Sequence, residues 1–243
     1  MSKISSILTL LLALTLLAAC STQIPPVATD APPAASTPTA ISNLPDQPAE
    51  ETAPPEPGRF EPESFAKTLG DYTLRPTDLP NAYRVPEDGE KRLSNLGVIQ
   101  SIGEVKGKHY IVATGRVDGW YLQLERRRKE EIIPAVMESA IELFESSDGA
   151  KLAISPEWFQ AFQDEDHPPT WIEDGCDIGD ECLFYYYQSL DPATNVTKLE
   201  YNVAFVYKNV MVWVLGRGLD IDVKSDYILN AAEALYQRLE QAS

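Results

Sequence analysis

The sequence predicts an α+β fold, a single domain with an antiparallel β-sheet flanked by helices, preceded by a signal peptide and a disordered, proline-rich linker. Three observations carry that expectation. Apolar residues alternate from Leu199 to Tyr207, and after two turn-forming residues a second apolar run extends from Val210 to Leu215. Near the carboxyl end, Ile228, Ala231, Ala232, Leu235 and Leu239 recur at helical spacing, with Glu233, Gln237 and Arg238 outward. Composition changes abruptly near residue 63: 11 of the 19 prolines lie between Ser21 and Glu63, whereas every aromatic residue except Phe60 lies beyond. The chain divides on this basis into a leader (1–19), a linker (20–63) and a globular domain (64–243).

The leader has a positive charge at Lys3, an apolar run from Ile7 to Leu17, and small residues before Cys20. That run is shorter than the roughly 20 apolar residues a membrane-spanning helix requires. An ordinary secretory leader, cleaved near Ala19, is the alternative. The stretch Leu17-Ala18-Ala19-Cys20 resembles the lipobox of bacterial lipoproteins. The resemblance implies cleavage before Cys20, a diacylglyceryl thioether on its sulfur, an acylated new amino terminus, and so a lipid bilayer as partner on the extracytoplasmic side. With Ser21 rather than aspartate next, it implies the outer membrane in a host with two membranes.

From Ser21 to Glu63 the chain is rich in Pro, Ala, Thr and acidic residues and holds one aromatic, so it lacks the apolar surface to offset ordering entropy. Such a spacer reaches roughly 35 Å as a coil and about 130 Å fully extended.

Within the domain, Trp120, Leu122 and Leu124 alternate with Gln123 and Glu125, which predicts a strand ending at the charged run Arg126 to Lys129. Lys208-Asn209 predicts a tight turn between the strands of the 199–215 hairpin, with Asn209 taking the positive φ. Leu183 to Tyr187 predicts a third strand, and Leu96 to Val105 and Tyr110 to Thr114 two more. Ser155-Pro156-Glu157 predicts a helix start, with Trp158, Phe159 and Phe162 on its core face. The segment 134–145 stays open between helix and strand: Ile133, Val136, Met137, Ala140, Ile141 and Phe144 fit helical spacing, with Pro134 suited to a first turn. We read it as a strand leading into a helix near Asp148.

That last reading follows from a resemblance. The order of Asp78-Leu79-Pro80, the strand from Gly115 to Glu125, Asp148-Gly149-Ala150, Gly179-Asp180-Glu181, the 199–215 hairpin and a terminal helix resembles extracytoplasmic lipoprotein domains of unknown function, some similar to the PsbP-like fold. The resemblance implies an antiparallel sheet flanked by helices, and brings no catalytic residue with it.

Of three cysteines, Cys20 is assigned to lipid, leaving Cys176 and Cys182. In an oxidising exterior so short a spacing closes readily as a disulfide. The alternatives are free thiols, or a redox or metal pair, although two cysteines without a second pair or an adjacent histidine make a poor zinc site. Around them lies the most acidic stretch, Asp164, Glu165, Asp166, Glu173, Asp174, Asp177, Asp180 and Glu181. Asp174, Asp177, Asp180 and Glu181 are the candidate Ca²⁺ ligands, since Ca²⁺ takes six to eight oxygens, though their spacing matches no EF-hand. The plainer reading is a solvated acidic loop facing Arg126, Arg127 and Arg128.

With 37 acidic against 20 basic residues and a net charge of −17, the chain offers no broad basic face for nucleic acid. The two histidines, His109 and His167, lie far apart, and neither a Gly-x-Ser-x-Gly elbow nor a phosphate-cradling glycine loop is present. Catalytic residues and cofactors are therefore not assigned. Tyr185-Tyr186-Tyr187 has the character of a sugar- or peptide-binding groove, although period 2 sends the central tyrosine to the opposite face from the other two. The expected function is a membrane-anchored surface lipoprotein whose acidic domain binds or scaffolds another envelope component, a protein or a glycan. The alternatives are a hydrolase of an envelope or extracellular polymer and a cation-responsive sensor.

Overall fold

The computed structural model describes residues 58–79, 83–128, 132–155, 158, 168–191 and 194–242. Cys20, His167, Asp164 to Asp166 and most of the predicted 155–162 helix lie outside these residues. The strands are β1 (Tyr83–Arg84), β2 (Glu90–Arg92), β3 (Arg116–Arg126), β4 (Val136–Phe144), β5 (Thr170–Trp171), β6 (Glu181–Asp191), β7 (Val196–Tyr207) and β8 (Val210–Leu219). They form one sheet in the order β1-β3-β4-β8-β7-β6-β5, with β2 also paired to β3, and every pairing is antiparallel. The fold also includes helices α1 (Pro62–Phe65), α2 (Asn95–Ile102), α3 (Glu104–Thr114), α4 (Ser147–Ala153) and α5 (Ser225–Gln241). This is the α+β architecture the sequence predicts, and 134–145 is indeed strand leading to a helix.

Register organises the sheet into rows of side chains. One row, Trp120, Ile141, Val212, Phe205 and Cys182, crosses five strands on a single face, because each is the direct partner of the next. Beside it run Leu122, Ser139, Val214, Val203 and Phe184. This face packs under α5, whose Ile228, Ala231, Ala232, Leu235 and Leu239 are all buried, as their spacing predicts.

The same core takes in Phe60, Phe65, Leu69 and Leu74, so the domain begins earlier than composition suggests. Phe60, read as part of the linker, is buried, stacks on Phe65 at 4.1 Å, and is fastened by Asn209. The Asn209 amide accepts from Phe60 N at 2.8 Å and donates to the carbonyls of Phe60 (3.0 Å) and Phe144 (2.8 Å). Asn209 is thus no positive-φ turn residue. Lys208, the first of the two turn residues, takes the positive φ instead, at 56°.

The segments read as strands over Leu96–Val105 and Tyr110–Thr114 are helices α2 and α3. Ser94 caps α2 by accepting from Gly97 N at 3.2 Å, Gly103 breaks the chain at φ 91°, and Gly115 ends α3 in the left-handed conformation. Val98, Ile102 and Ile111 pack these helices onto a second cluster with Tyr110, Phe144, Ala150, Ile154 and Trp158. Tertiary burial here overrides the extended preference of β-branched residues. This second cluster covers one end of the opposite sheet face and leaves the middle of that face uncovered by the described residues.

Candidate functional site

The face left uncovered by the described residues carries three successive rows. Tyr121, Ala140, Trp213, Ala204 and Leu183 form the first; Gln123, Glu138, Leu215, Asn202, Tyr185 and Trp171 the second; Glu125, Val136, Arg217, Glu200 and Tyr187 the third. Alanines on either side of Trp213 leave space that larger residues would fill. The result is a hollow of about 360 Å³, within the range of small-ligand sites, walled at one end by Tyr110, Ala153 and Ile154 from the helices. A second hollow of about 530 Å³ continues past Tyr187 and Glu200 toward Arg126, Lys198, Arg217 and Asp222.

Aromatic side chains line the first hollow. Tyr185 and Tyr187 stand perpendicular with ring centres 5.7 Å apart, Trp171 lies 5.3 Å from Tyr185 at the edge, and Trp213 Nε1 donates to Tyr185 Oη at 3.3 Å. Tyr186 points to the opposite face, 5.5 Å from Tyr201, so the period-2 reading of the tyrosine run holds. Burial pushes the Tyr185 hydroxyl well above its ordinary pKa, keeping it a neutral phenol.

Polar groups sit among these rings. Glu142 is paired with Arg116, a fully buried guanidinium that also donates to Asn95 Oδ1 at 2.6 Å and Leu93 O at 2.7 Å. Tyr110 Oη donates to the same carboxylate at 3.3 Å. Arg217 serves two carboxylates, reaching Glu138 at 2.6 Å but Glu200 only at 4.0 Å. Glu200 accepts from Asn202 Nδ2 at 3.2 Å. Burial raises the Glu200 pKa, against the lowering effect of the Asn202 hydrogen bond and of Arg217. Asn202 is fully buried, lines the hollow, and has no hydrogen-bond partner for its Oδ1.

Cys176 and Cys182 are disulfide-bonded, with Cα atoms 6.0 Å apart. The acidic residues beside them do not converge: among the described residues, no three His, Cys, Asp or Glu side chains form a group able to hold a metal. Asp180, of the candidate Ca²⁺ ligands, accepts from Lys208 N at 2.8 Å and so braces the β7–β8 turn. Arg126, read as facing the acidic loop, pairs with Asp222 at 3.1 Å. His109 is exposed on α3, edge-on to Trp158 at 4.9 Å, and does not line the hollow. Sequence reasoning found Tyr185 and Tyr187 but missed Glu138, Glu142, Glu200, Asn202, Trp213 and Arg217. Those residues come from three strands and meet only through register. The signal available was β8 itself, apolar at successive positions from Val210 to Leu215, a pattern of burial on both faces.

No protein-family model matches the chain, and no curated protein does. Among solved structures, the extracellular domain of PknH from Mycobacterium tuberculosis is similar at 11% identity with a TM-score of 0.44, over 72% of this chain and 96% of that one. Among the described residues, no helix is long and apolar enough to cross a membrane.

Proposed function

We propose that this chain is an extracytoplasmic binding module, held at a membrane by lipid on Cys20, which receives another envelope component on this sheet face. One observation carries the binding reading: a fully buried amide, Asn202, with an unpaired acceptor, lies in an aromatic-walled hollow of ligand size. A buried acceptor without a partner costs about 1–3 kcal/mol, which a ligand donor would recover. The anchor reading is supported by Leu17-Ala18-Ala19-Cys20, and the disulfide suits an oxidising compartment.

The test places a photo-crosslinking residue at Trp171, exposed beside Tyr185 of the hollow, and separately at Gln237, exposed on α5, in the full chain expressed in its native cell. A reproducible adduct from position 171 and none from 237 supports the reading; adducts from 237 alone, or equally from both, overturn it. Cys20→Ala tests the anchor. The variant leaves the membrane fraction if lipid holds the protein, and stays there if it does not.

A further inference from the structure

The polar lining of the hollow has more acceptor capacity than donor capacity. Two carboxylates, Glu142 and Glu200, line it, and Glu138 lies near them on the same face, with Arg116 and Arg217 as guanidinium partners. Arg116 is consumed by Glu142, Asn95 and Leu93, and Arg217 lies closest to Glu138. Glu200 is therefore left with Asn202 and a guanidinium 4.0 Å away, in an environment where desolvation already penalises its charge. On the same strand, two residues on, Asn202 Oδ1 has no donor. Around these acceptors stand the rings of Tyr185, Tyr187 and Trp213, whose electron-rich faces attract cations.

We propose that this hollow seats a protonated alkylamine of the lysine side-chain kind, its N–H groups donating to Asn202 Oδ1 and Glu200 and its methylenes lying against the aromatic rings. The proposal rests on the binding-module reading and narrows it. A quaternary ammonium would satisfy the rings but has no N–H for Asn202. A sugar hydroxyl would satisfy Asn202 but bring Glu200 no countercharge beyond Arg217 at 4.0 Å. An alkylammonium answers both needs, and the strongly acidic chain favours its approach.

The test titrates the full chain with Nα-acetyl-lysine methylamide, following tryptophan fluorescence and heat. Comparison ligands are the same compound acetylated on Nζ, tetramethylammonium, and a chito-oligosaccharide. The expected result is saturable binding of the free amine, weakened about tenfold or more by Nζ acetylation, since a hydrogen bond to a charged group contributes at least the equivalent of one decade. Asn202→Leu and the conservative Glu200→Gln each weaken it similarly, and Glu200→Gln keeps the test meaningful should Asn202→Leu not fold. Equal binding of both lysine forms, or no binding of the amine at millimolar concentration, overturns the proposal. Binding of the oligosaccharide alone, lost in Asn202→Leu, overturns the amine but leaves the binding reading standing. Amine binding that neither variant weakens overturns the assignment to this hollow.

Discussion

Glu142→Gln is the most informative single substitution in this domain, because Glu142 both lines the hollow and neutralises a guanidinium with no access to water. The Arg116 side chain is 0% exposed and that of Glu142 is 15% exposed. Removing one member of a buried pair costs about 3–5 kcal/mol, since the remaining charge stays desolvated. Here Asn95 Oδ1 and Leu93 O still accept from Arg116, and the glutamine oxygen replaces one carboxylate oxygen, so the lower end applies, about 3 kcal/mol. For a domain of this size that lowers Tm by roughly 6–12 °C. Urea unfolding of the purified protein, followed by circular dichroism, measures it directly. A double-mutant cycle with Arg116→Met separates coupling from the individual losses. Because water and ions do not reach the guanidinium, the cost persists in 1 M salt, where the Debye length is about 3 Å. A loss below about 1 kcal/mol, or one that disappears in high salt, refutes the burial argument, because those are the properties of an exposed pair.

Four further outcomes follow from the contacts described. Asn209→Ala removes the three hydrogen bonds that fasten Phe60 and Phe144, and is expected to cost about 3 kcal/mol with loss of hydrogen-exchange protection at the Phe60 amide; retained protection refutes the fastening role. A Cβ at position 149 would lie 2.0 Å from Thr114 O, so Gly149→Ala should destabilise by about 1–3 kcal/mol in thermal melts, despite a helix-propensity gain of up to about 1 kcal/mol; an unchanged Tm sinks the close-approach argument. Replacing both Cys176 and Cys182 by Ser should cost about 2 kcal/mol or less, the loop being short, and a complete failure to fold contradicts that estimate. Glu200 has a raised folded pKa, so its contribution to stability is full below the unfolded value of 4.5 and is lost as pH rises through the folded one. Urea midpoints of Glu200→Gln and the parent should therefore converge in acid, with the variant gaining above pH 4.5; a variant less stable at neutral pH shows that Arg217 outweighs burial.

Much of the architecture was legible because burial on one face imposes a period. The α5 stripe and the β7–β8 hairpin were read correctly in kind and nearly in extent, since each presents one apolar face to the same core. The short motifs also mark real joints. Asp78 accepts from Arg75 N and pairs with Arg238 of α5, while Gly179 lets Val206 O approach where a Cβ would lie 2.2 Å away. What failed were segments decided by contacts rather than period. In α2 and α3, Val98, Ile102 and Tyr110 are drawn onto Phe144 and Trp158, and isolated β-branched residues gave no notice of it. Phe60 likewise sat in proline-rich chain, and only the remote Asn209, 149 residues on, makes it part of the domain.

The hollow illustrates why a site of this kind escapes a reading along the chain. Its members lie at alternating positions of β4, β6, β7 and β8, where the simplest expectation for an antiparallel sheet is a solvated polar face. Glu138 and Asn202 occupy such positions yet are buried, and Trp213 with Leu215 puts large apolar side chains between them. Burial of polar residues on that side demands partners. Arg217 supplies them for Glu138, and Asn202 finds one for its Nδ2 but none for its Oδ1. Had this face been merely a second core, apolar residues at 138 and 202 would have been less costly, as unpaired buried polar groups are expensive. Retaining an acceptor there makes physical sense if something arrives to use it, which is why the binding proposal rests on Asn202 rather than on the size of the hollow.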